Sequence, residues 1–319
     1  MKLLTENSGK TIAEKILSGH SSNKSKSPGE FIEAEIDLVM VHEQLGGRIH
    51  KEYEKLKLDK VWDPDKIFFI LDHWVPAPSI EAAKMHQDCR KFAKKYKFKH
   101  NIGMDKGICH QVLPELGFAK PGMLIVGSDS HTTTYGAFNC LSTGIGATDV
   151  SVVFATGKLW FMVPETQKFS LEGQLGDKVM SKDLVLQIIG DLSTGGAEYK
   201  SMEFHGDGVK ALSIDSRMTV SNMVVEAGAK SGIFIPDNKL VEWLKDRSIS
   251  NYKLTMSDDN ASYVEEFNYD LSQIVPVVAK PPSPDNVFAV NAISEDVGVR
   301  TYLGSCTNGR LEDLRLAAQ

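Results

Sequence analysis

The sequence predicts an α/β fold carried by parallel sheets, and three stretches lead there. Ile67–Leu71 (IFFIL) and Met123–Val126 (MLIV) are short, wholly apolar runs, the pattern of strands buried on both faces. Between them, Ser79–Lys95 sets Ile80, Ala83, Met85, Cys89 and Phe92 among charged residues, the pattern of an amphipathic helix. Strands separated by helices imply a parallel sheet covered on both sides.

The elements follow in order. Thr11 and Glu14 form a capping box at the start of a first helix. Phe31–Ile36 is extended and apolar. Asp149–Phe161 has the content of a mostly buried helix, and Val163–Pro164 marks a break, so residues 1–165 are expected to form a first domain. Thr166–Gly173 alternates polar and apolar, Ser181–Leu192 is helical, Ser201–His205 is strand-like, and Ile214–Ala227 is a helix stopped by Gly228. A second α/β domain is expected over 166–275. Residues 276–286 read as a stiff linker, because four of the twelve prolines lie between Pro276 and Pro284. Residues 287–319 begin a third domain, with Val297–Leu303 strand-like and a helix from Leu311 that reaches Gln319 without a stop signal. A strand and half a helix cannot bury a core, so this third domain is expected to be incomplete.

Composition narrows the function. Lys plus Arg number 36 against 42 Asp plus Glu, a net charge of −6, which leaves no overall positive field for nucleic acid. No run of about 18 apolar residues is present, so no membrane span is expected. The opening residues lack the uninterrupted apolar core of a secretory signal, and a cytoplasmic protein is expected. Four cysteines in 319 residues are too few for a disulfide scaffold.

Three motifs follow expected strand ends, where open α/β sheets bind ligands. Leu71-Asp72-His73 sets a carboxylate beside an imidazole, a pairing that raises the imidazole pKa and suits a proton donor; a capping Asp and a structural His are the alternative. Gly127-Ser128-Asp129-Ser130-His131-Thr132 repeats the pairing among hydroxyls. The run after it, Ser130 to Thr148, is rich in Gly, Thr and Ser and holds no Asp, Glu, Lys or Arg. Close approach of a ligand to the backbone and a plain Gly/Thr-rich turn both account for it. Gly304-Ser305-Cys306-Thr307-Asn308-Gly309-Arg310 places a cysteine before a helix, where the macrodipole favours thiolate, the form that ligates metals and clusters; an ordinary buried cysteine is the alternative. Gly107-Ile108-Cys109-His110-Gln111 adds a further imidazole. Of nine histidines, His73, His110 and His131 form the candidate cluster, His42 is undecided, and His20, His50, His86, His100 and His205 are expected on the surface or in packing.

These motifs, with FATGKLWFMVPET at 154–166 and SRMTVSNMVVEAGAKSGI at 216–233, resemble the aconitase superfamily, and within it the large subunits of 3-isopropylmalate dehydratases, whose relatives include homoaconitase. The resemblance runs in order along nearly the whole chain. It implies an aconitase-like three-domain α/β/α fold around a [4Fe–4S] cluster, with a fourth, swivelling domain supplied by a separate small subunit. It implies a hydro-lyase that isomerises 2-isopropylmalate and 3-isopropylmalate by dehydration and rehydration in leucine biosynthesis. By motif, Asp72 and His73 resemble the pair that protonates the leaving hydroxyl. His110 resembles the partner of Asp129, and His131 that of Glu226. Ser130 resembles a substrate contact, Asn222 a neighbour of the cluster and Cys306 its first ligand.

One departure follows. The family's other two cluster cysteines form a C-x-x-C, and a later Asn-Arg-Asn-Phe-x-Gly-Arg stretch supplies a substrate-binding arginine. This sequence contains neither. Two of the three cysteine ligands are thus missing, and the chain alone is expected to be inactive. The other readings are activity on homoaconitate or aconitate, a non-catalytic subunit or interaction module, and a mononuclear metal hydrolase built on His73, His110 and His131.

Overall fold

The computed structural model describes residues 9–22, 26–247, 251–294 and 300–319. In chain order the strands are β1 (Phe31–Glu35), β2 (Leu38–His42), β3 (Ile67–Ile70), β4 (His100–Ile102), β5 (Leu124–Gly127), β6 (Leu141–Gly144), β7 (Lys158–Met162), β8 (Thr166–Glu172), β9 (Ser201–His205), β10 (Ser231–Phe234), β11 (Glu265–Asp270), β12 (Val277–Ala279) and β13 (Val287–Ala289).

Two parallel sheets organise the molecule. The first runs β4-β3-β2-β5-β6 and the second β10-β9-β8-β11. In the first sheet β2, β3 and β5 are buried along their whole length, because helices cover both faces. Glu43–Lys55, Ile80–Lys95 and Ala147–Thr156 lie on one side with Phe69, Phe92 and Phe154 in the core. Cys109–Glu115 and Asn238–Lys245 lie on the other, with Phe68, Phe138 and Met218. A separate core of Phe169, Phe204, Phe234 and the apolar face of Ser181–Leu192 packs the second sheet.

The sheets meet through the 3₁₀ helix Ser130–Phe138, which lies against Ile214–Met223 and β10. The uncharged run around it is mostly buried: Thr132, Thr133, Thr134, Tyr135, Ala137 and Phe138 are at most 1% exposed. A Cβ on Gly136 would stand 1.9 Å from the Gly232 carbonyl oxygen. Backbone packed on backbone between the two sheets accounts for this run, so close approach of a ligand is not needed to explain it.

Several expectations are corrected. The helix expected over Asp149–Phe161 ends at Thr156, because Gly157 takes a left-handed φ of 71° and closes it. The residues after it form β7, which pairs antiparallel with β1. Phe31–Ile36 therefore belongs to a half-exposed ribbon rather than to the parallel sheet. The Pro-rich 276–286 segment, expected as a stiff linker, carries secondary structure of its own. It forms the start and turn of the hairpin β12–β13, and the Val277 N–H donates to Asp183 Oδ1 on Ser181–Leu192 (2.9 Å). Of the strand expected over Val297–Leu303, positions 297–299 lie outside the described residues and Arg300–Leu303 form no strand. The helix Leu311–Ala317 begins five residues after Cys306, and Arg310 rather than Cys306 stands at its N-cap.

Candidate active site

Three neighbouring strands of the first sheet, β3, β2 and β5, end side by side and deliver Asp72–His73, His42–Glu43 and Ser128–Asp129 to one place. Asp129 is the centre. It caps the 3₁₀ helix, its Oδ1 accepting the His131 backbone N–H at 2.7 Å and His110 Nε2 at 2.9 Å. Its Oδ2 faces His73 Nε2 at 3.2 Å. The other side of the His73 ring, Nδ1, sits 2.7 Å from Asp72 Oδ1, and Asp72 Oδ2 accepts the Cys109 N–H at 2.7 Å.

The electrostatics follow from these contacts. Hydrogen bonds to Asp129 and then Asp72 raise the His73 pKa to about 10, against the lowering effect of burial. His73 is therefore an imidazolium at neutral pH, with both ring nitrogens held by carboxylates. His131 is likewise raised to about 10, by Asp129 and by Glu226, whose Oε1 lies 3.1 Å from Nε2. Burial alone would raise the Asp129 carboxyl. Hydrogen bonds from His110, His131 and His73 outweigh it and hold the group far below its ordinary range. Asp72 is lowered against burial by His73 and the Cys109 amide, and Glu226 is lowered by its hydrogen bond with His131.

The second sheet supplies the opposite wall. Asn222 lies in the last turn of the helix Ile214–Met223, and Glu226 lies in the 3₁₀ turn Val224–Ala227 that Gly228 closes. Asn222 is buried. Its Nδ2 donates to Thr134 Oγ1 at 2.8 Å and lies 3.5 Å from Cys306 Sγ, while its Oδ1 accepts the Thr307 hydroxyl at 2.9 Å. Arg310 ties the Cys306 loop down, its guanidinium donating to the carbonyls of Thr307 (2.7 Å) and Cys306 (3.4 Å). Ser130 is exposed beside His131, 3.4 Å from its Nδ1.

The structure thus brings Asp72, His73, His110, Asp129, Ser130, His131 and Glu226 into one linked group, and joins Asn222 and Cys306 in a second that touches the first through Thr134. Four participants were not among the expected site residues. His42 stacks on His73, ring centroids 4.1 Å apart. It donates from Nε2 to the Ser128 carbonyl (3.0 Å) and accepts the Gln44 N–H at Nδ1 (3.3 Å), which fixes a neutral tautomer. Burial, then the adjacent His73, push its pKa down, in keeping with that state. Glu43 is fully buried behind it. Tyr135 meets His110 Nδ1 at 3.1 Å, and Cys109 is buried beneath Asp72. His42 and Glu43 carried the same signal as Asp72 and His73: two polar residues at the end of an apolar strand.

Metal chemistry can be tested on the donors. One nitrogen or oxygen each from His42, Glu43 and His73 lie within 4.8 Å of one another. All are committed to protein partners: both His73 nitrogens to carboxylates, both Glu43 oxygens to backbone amides, His42 as above. For an iron–sulfur cluster, which thiolates hold, Cys306 is half-buried while Cys89, Cys109 and Cys140 are at most 1% exposed. Burial pushes the Cys89 thiol up to about 12 and raises Cys109 and Cys140 as well. Cys306 is thus the thiol whose exposure fits a ligand position of a cluster.

Comparison with known proteins gives a consistent result. The model of the aconitase family (aconitate hydratase) matches residues 14–301. The chain is 44% identical over 311 residues to the 3-isopropylmalate dehydratase large subunit 1 of Methanopyrus kandleri, covering 98% of this chain and 74% of that protein. It is 45% identical over 311 residues to the 3-isopropylmalate dehydratase large subunit of Aquifex aeolicus, covering 98% of this chain and 72% of that one. The large subunit 1 of Pyrococcus furiosus is 45% identical over 314 residues, with 98% and 74% covered.

Proposed function

The chain belongs to the aconitase family, and from that premise we propose that it serves in the large subunit of a hydro-lyase that interconverts 2- and 3-isopropylmalate, a step of leucine biosynthesis. The observation that carries this reading is the His73 imidazolium held between Asp72 and Asp129 at the mouth of three strand ends.

His73 is the proton donor. The substrate hydroxyl takes the place of Asp129 at Nε2, the longer of the ring's two carboxylate contacts. Losing that contact removes the larger cause of the raised pKa, so the proton becomes easier to release as the carbon–oxygen bond breaks. A base on a small subunit removes the proton from the neighbouring carbon, the double bond forms, and the hydroxyl leaves as water carrying the His73 proton. Readdition of water with the two carbons exchanged gives the isomer. The His131 imidazolium and the Ser130 hydroxyl bind substrate carboxylate, with Glu226 holding His131 in place. His110 and Tyr135 fix Asp129, so that its second oxygen stays aimed at His73.

Cys306, beside Asn222, would be one ligand of a [4Fe–4S] cluster; when bound, such a cluster supplies a Lewis-acid iron that makes hydroxide a better leaving group. The remaining thiolates would come from outside these 319 residues, and the chain alone is inactive in this reading. The test is anaerobic assembly of the large subunit, extended to the length of its relatives, with a small subunit and iron and sulfide. Turnover of 2-isopropylmalate, with His73→Ala slower by roughly 10²–10⁴-fold, is expected. Preference for homoaconitate or aconitate would move the substrate assignment, and no turnover of any of the three would remove the reading.

A further inference from the structure

Glu43 begins the helix Glu43–Lys55 at the end of the central strand β2, and none of it reaches solvent. A buried carboxyl group is costly unless its oxygens are hydrogen-bonded. Both are, and by an unusual pair. Oε2 accepts the N–H of Asp72 at 3.1 Å and Oε1 accepts the N–H of Trp74 at 2.5 Å. These amides flank His73 on either side. His86, 2% exposed, brings Nε2 to 3.8 Å from Oε1, and that nitrogen has no hydrogen-bond partner among the described residues.

A carboxyl group in the first turn of a helix could serve the helix by accepting its own amides. Glu43 instead reaches across to the loop after β3. The residue before it, His42, stacks on the His73 ring. Consecutive residues of β2 and its helix thus grip His73 twice, once by the ring and once by the backbone. Without that grip, two amides of an irregular loop would lack the acceptors they have here.

We infer that Glu43 is a positioning residue, whose carboxyl group clamps the Asp72–Trp74 backbone and so keeps the His73 imidazole between Asp72 and Asp129. The inference rests on the reading of His73 as proton donor, and goes beyond it in saying what holds the donor still.

Amide hydrogen exchange of the 319-residue chain tests the clamp directly. In the unmodified chain the Asp72 and Trp74 amides should exchange slowly, although no backbone carbonyl among the described residues accepts them. In Glu43→Gln one acceptor oxygen remains and an NH₂ group faces the other amide, so at least one of the two exchanges faster by roughly tenfold or more. The His73 ring resonances move with it. In the assembled enzyme, Glu43→Gln lowers kcat with little change in KM, and Glu43→Asp, which keeps both oxygens, recovers part of the rate. A purely structural role would lower the denaturation midpoint and leave the exchange of these two amides in step with the rest of the sheet.

Fast exchange of both amides in the unmodified chain overturns the proposal even if Glu43→Gln does not fold. So does a folded Glu43→Gln with unaltered exchange and ring resonances. Full turnover by His73→Ala would defeat the proton-donor reading instead, while slow exchange at Asp72 and Trp74 would leave the clamp standing.

Discussion

Replacing Asp129 by Asn separates the roles of its two oxygens. In the native side chain Oδ1 serves the His131 amide at 2.7 Å and His110 Nε2 at 2.9 Å, and Oδ2 serves His73 Nε2 at 3.2 Å. Asparagine offers one acceptor and one donor in nearly the same volume. The acceptor will take the Oδ1 place, where it meets two donors, one of them the amide that starts the 3₁₀ helix. The NH₂ group then points at His73 Nε2, which must accept rather than donate. That favours the neutral ring with its proton on Nδ1 toward Asp72 over the imidazolium. The larger cause of the raised His73 pKa disappears, and the value should fall from about 10 by roughly 1–3 pH units, the usual effect of one close carboxylate. Long-range ¹H–¹⁵N spectra of the imidazoles between pH 5 and 11 measure it, and the same spectra report the tautomer. In the assembled enzyme the loss of a stored proton should cost roughly 10²–10⁴ in turnover. A His73 titration curve that does not move in Asp129→Asn would refute the electrostatic account of the site.

Three further outcomes are expected. Gly136→Ala, whose Cβ would meet the Gly232 carbonyl oxygen at 1.9 Å, should lose about 1–3 kcal/mol in urea denaturation, whereas Gly47→Ala, with nothing within 4 Å, should gain about 0.5–1 kcal/mol. His20 and Asp37 form an ion pair at 2.6 Å that, against burial, raises the His20 pKa and lowers that of Asp37. The His20 contribution is present below its unfolded value of 6.5 and lost as pH rises through the folded one; that of Asp37 is present above 3.8 and lost as pH falls. The unfolding free energy of His20→Gln, from urea titration, should therefore differ most from that of the unmodified chain between these two values, by roughly 1 kcal/mol or less; a larger difference at pH 8 would contradict the pairing. A thiol reagent should label one cysteine quickly in the folded chain and four after unfolding, and Cys306→Ser should abolish the fast one.

Much of this arrangement can be read in the sequence, and the failures have physical causes. Asp72–His73 and Asp129–His131 stand out because apolar strands end in front of them. His42–Glu43 has the same position after β2, yet its polar pair continues straight into a helix of charged residues and looks like part of that helix's surface. Residues 130–148 carry the composition of a ligand-binding loop because two backbones pressed together demand small uncharged side chains, as a ligand would. The apolar residues of β7 extend the pattern of the preceding helix, and a single left-handed glycine separates the two. The Pro-rich stretch hides a hairpin whose short strands are held by packing on Ser181–Leu192, which local composition does not encode.

The division of labour between the sheets has a consequence for catalysis. Asp72, His73, His110 and Asp129, the residues proposed to handle the proton, all stand on or beside the first sheet, and their mutual distances are set by strand pairing within it. Glu226 and Asn222 stand on a helix and turn packed against the second sheet, and their distance from His131 and Thr134 depends on how the sheets dock. The 3₁₀ helix Ser130–Phe138 belongs to both arrangements: Asp129 caps it from the first sheet, and Gly136 presses on Gly232 of β10 at its other end. Shifting that junction by an ångström would leave the His73 pair intact while stretching the 3.1 Å contact between His131 and Glu226. The proposed proton donor is therefore held within one sheet, while the proposed carboxylate-binding side depends on packing between the two. Substitutions at the junction should accordingly raise KM more than they lower kcat, the reverse of the effect expected at Glu43.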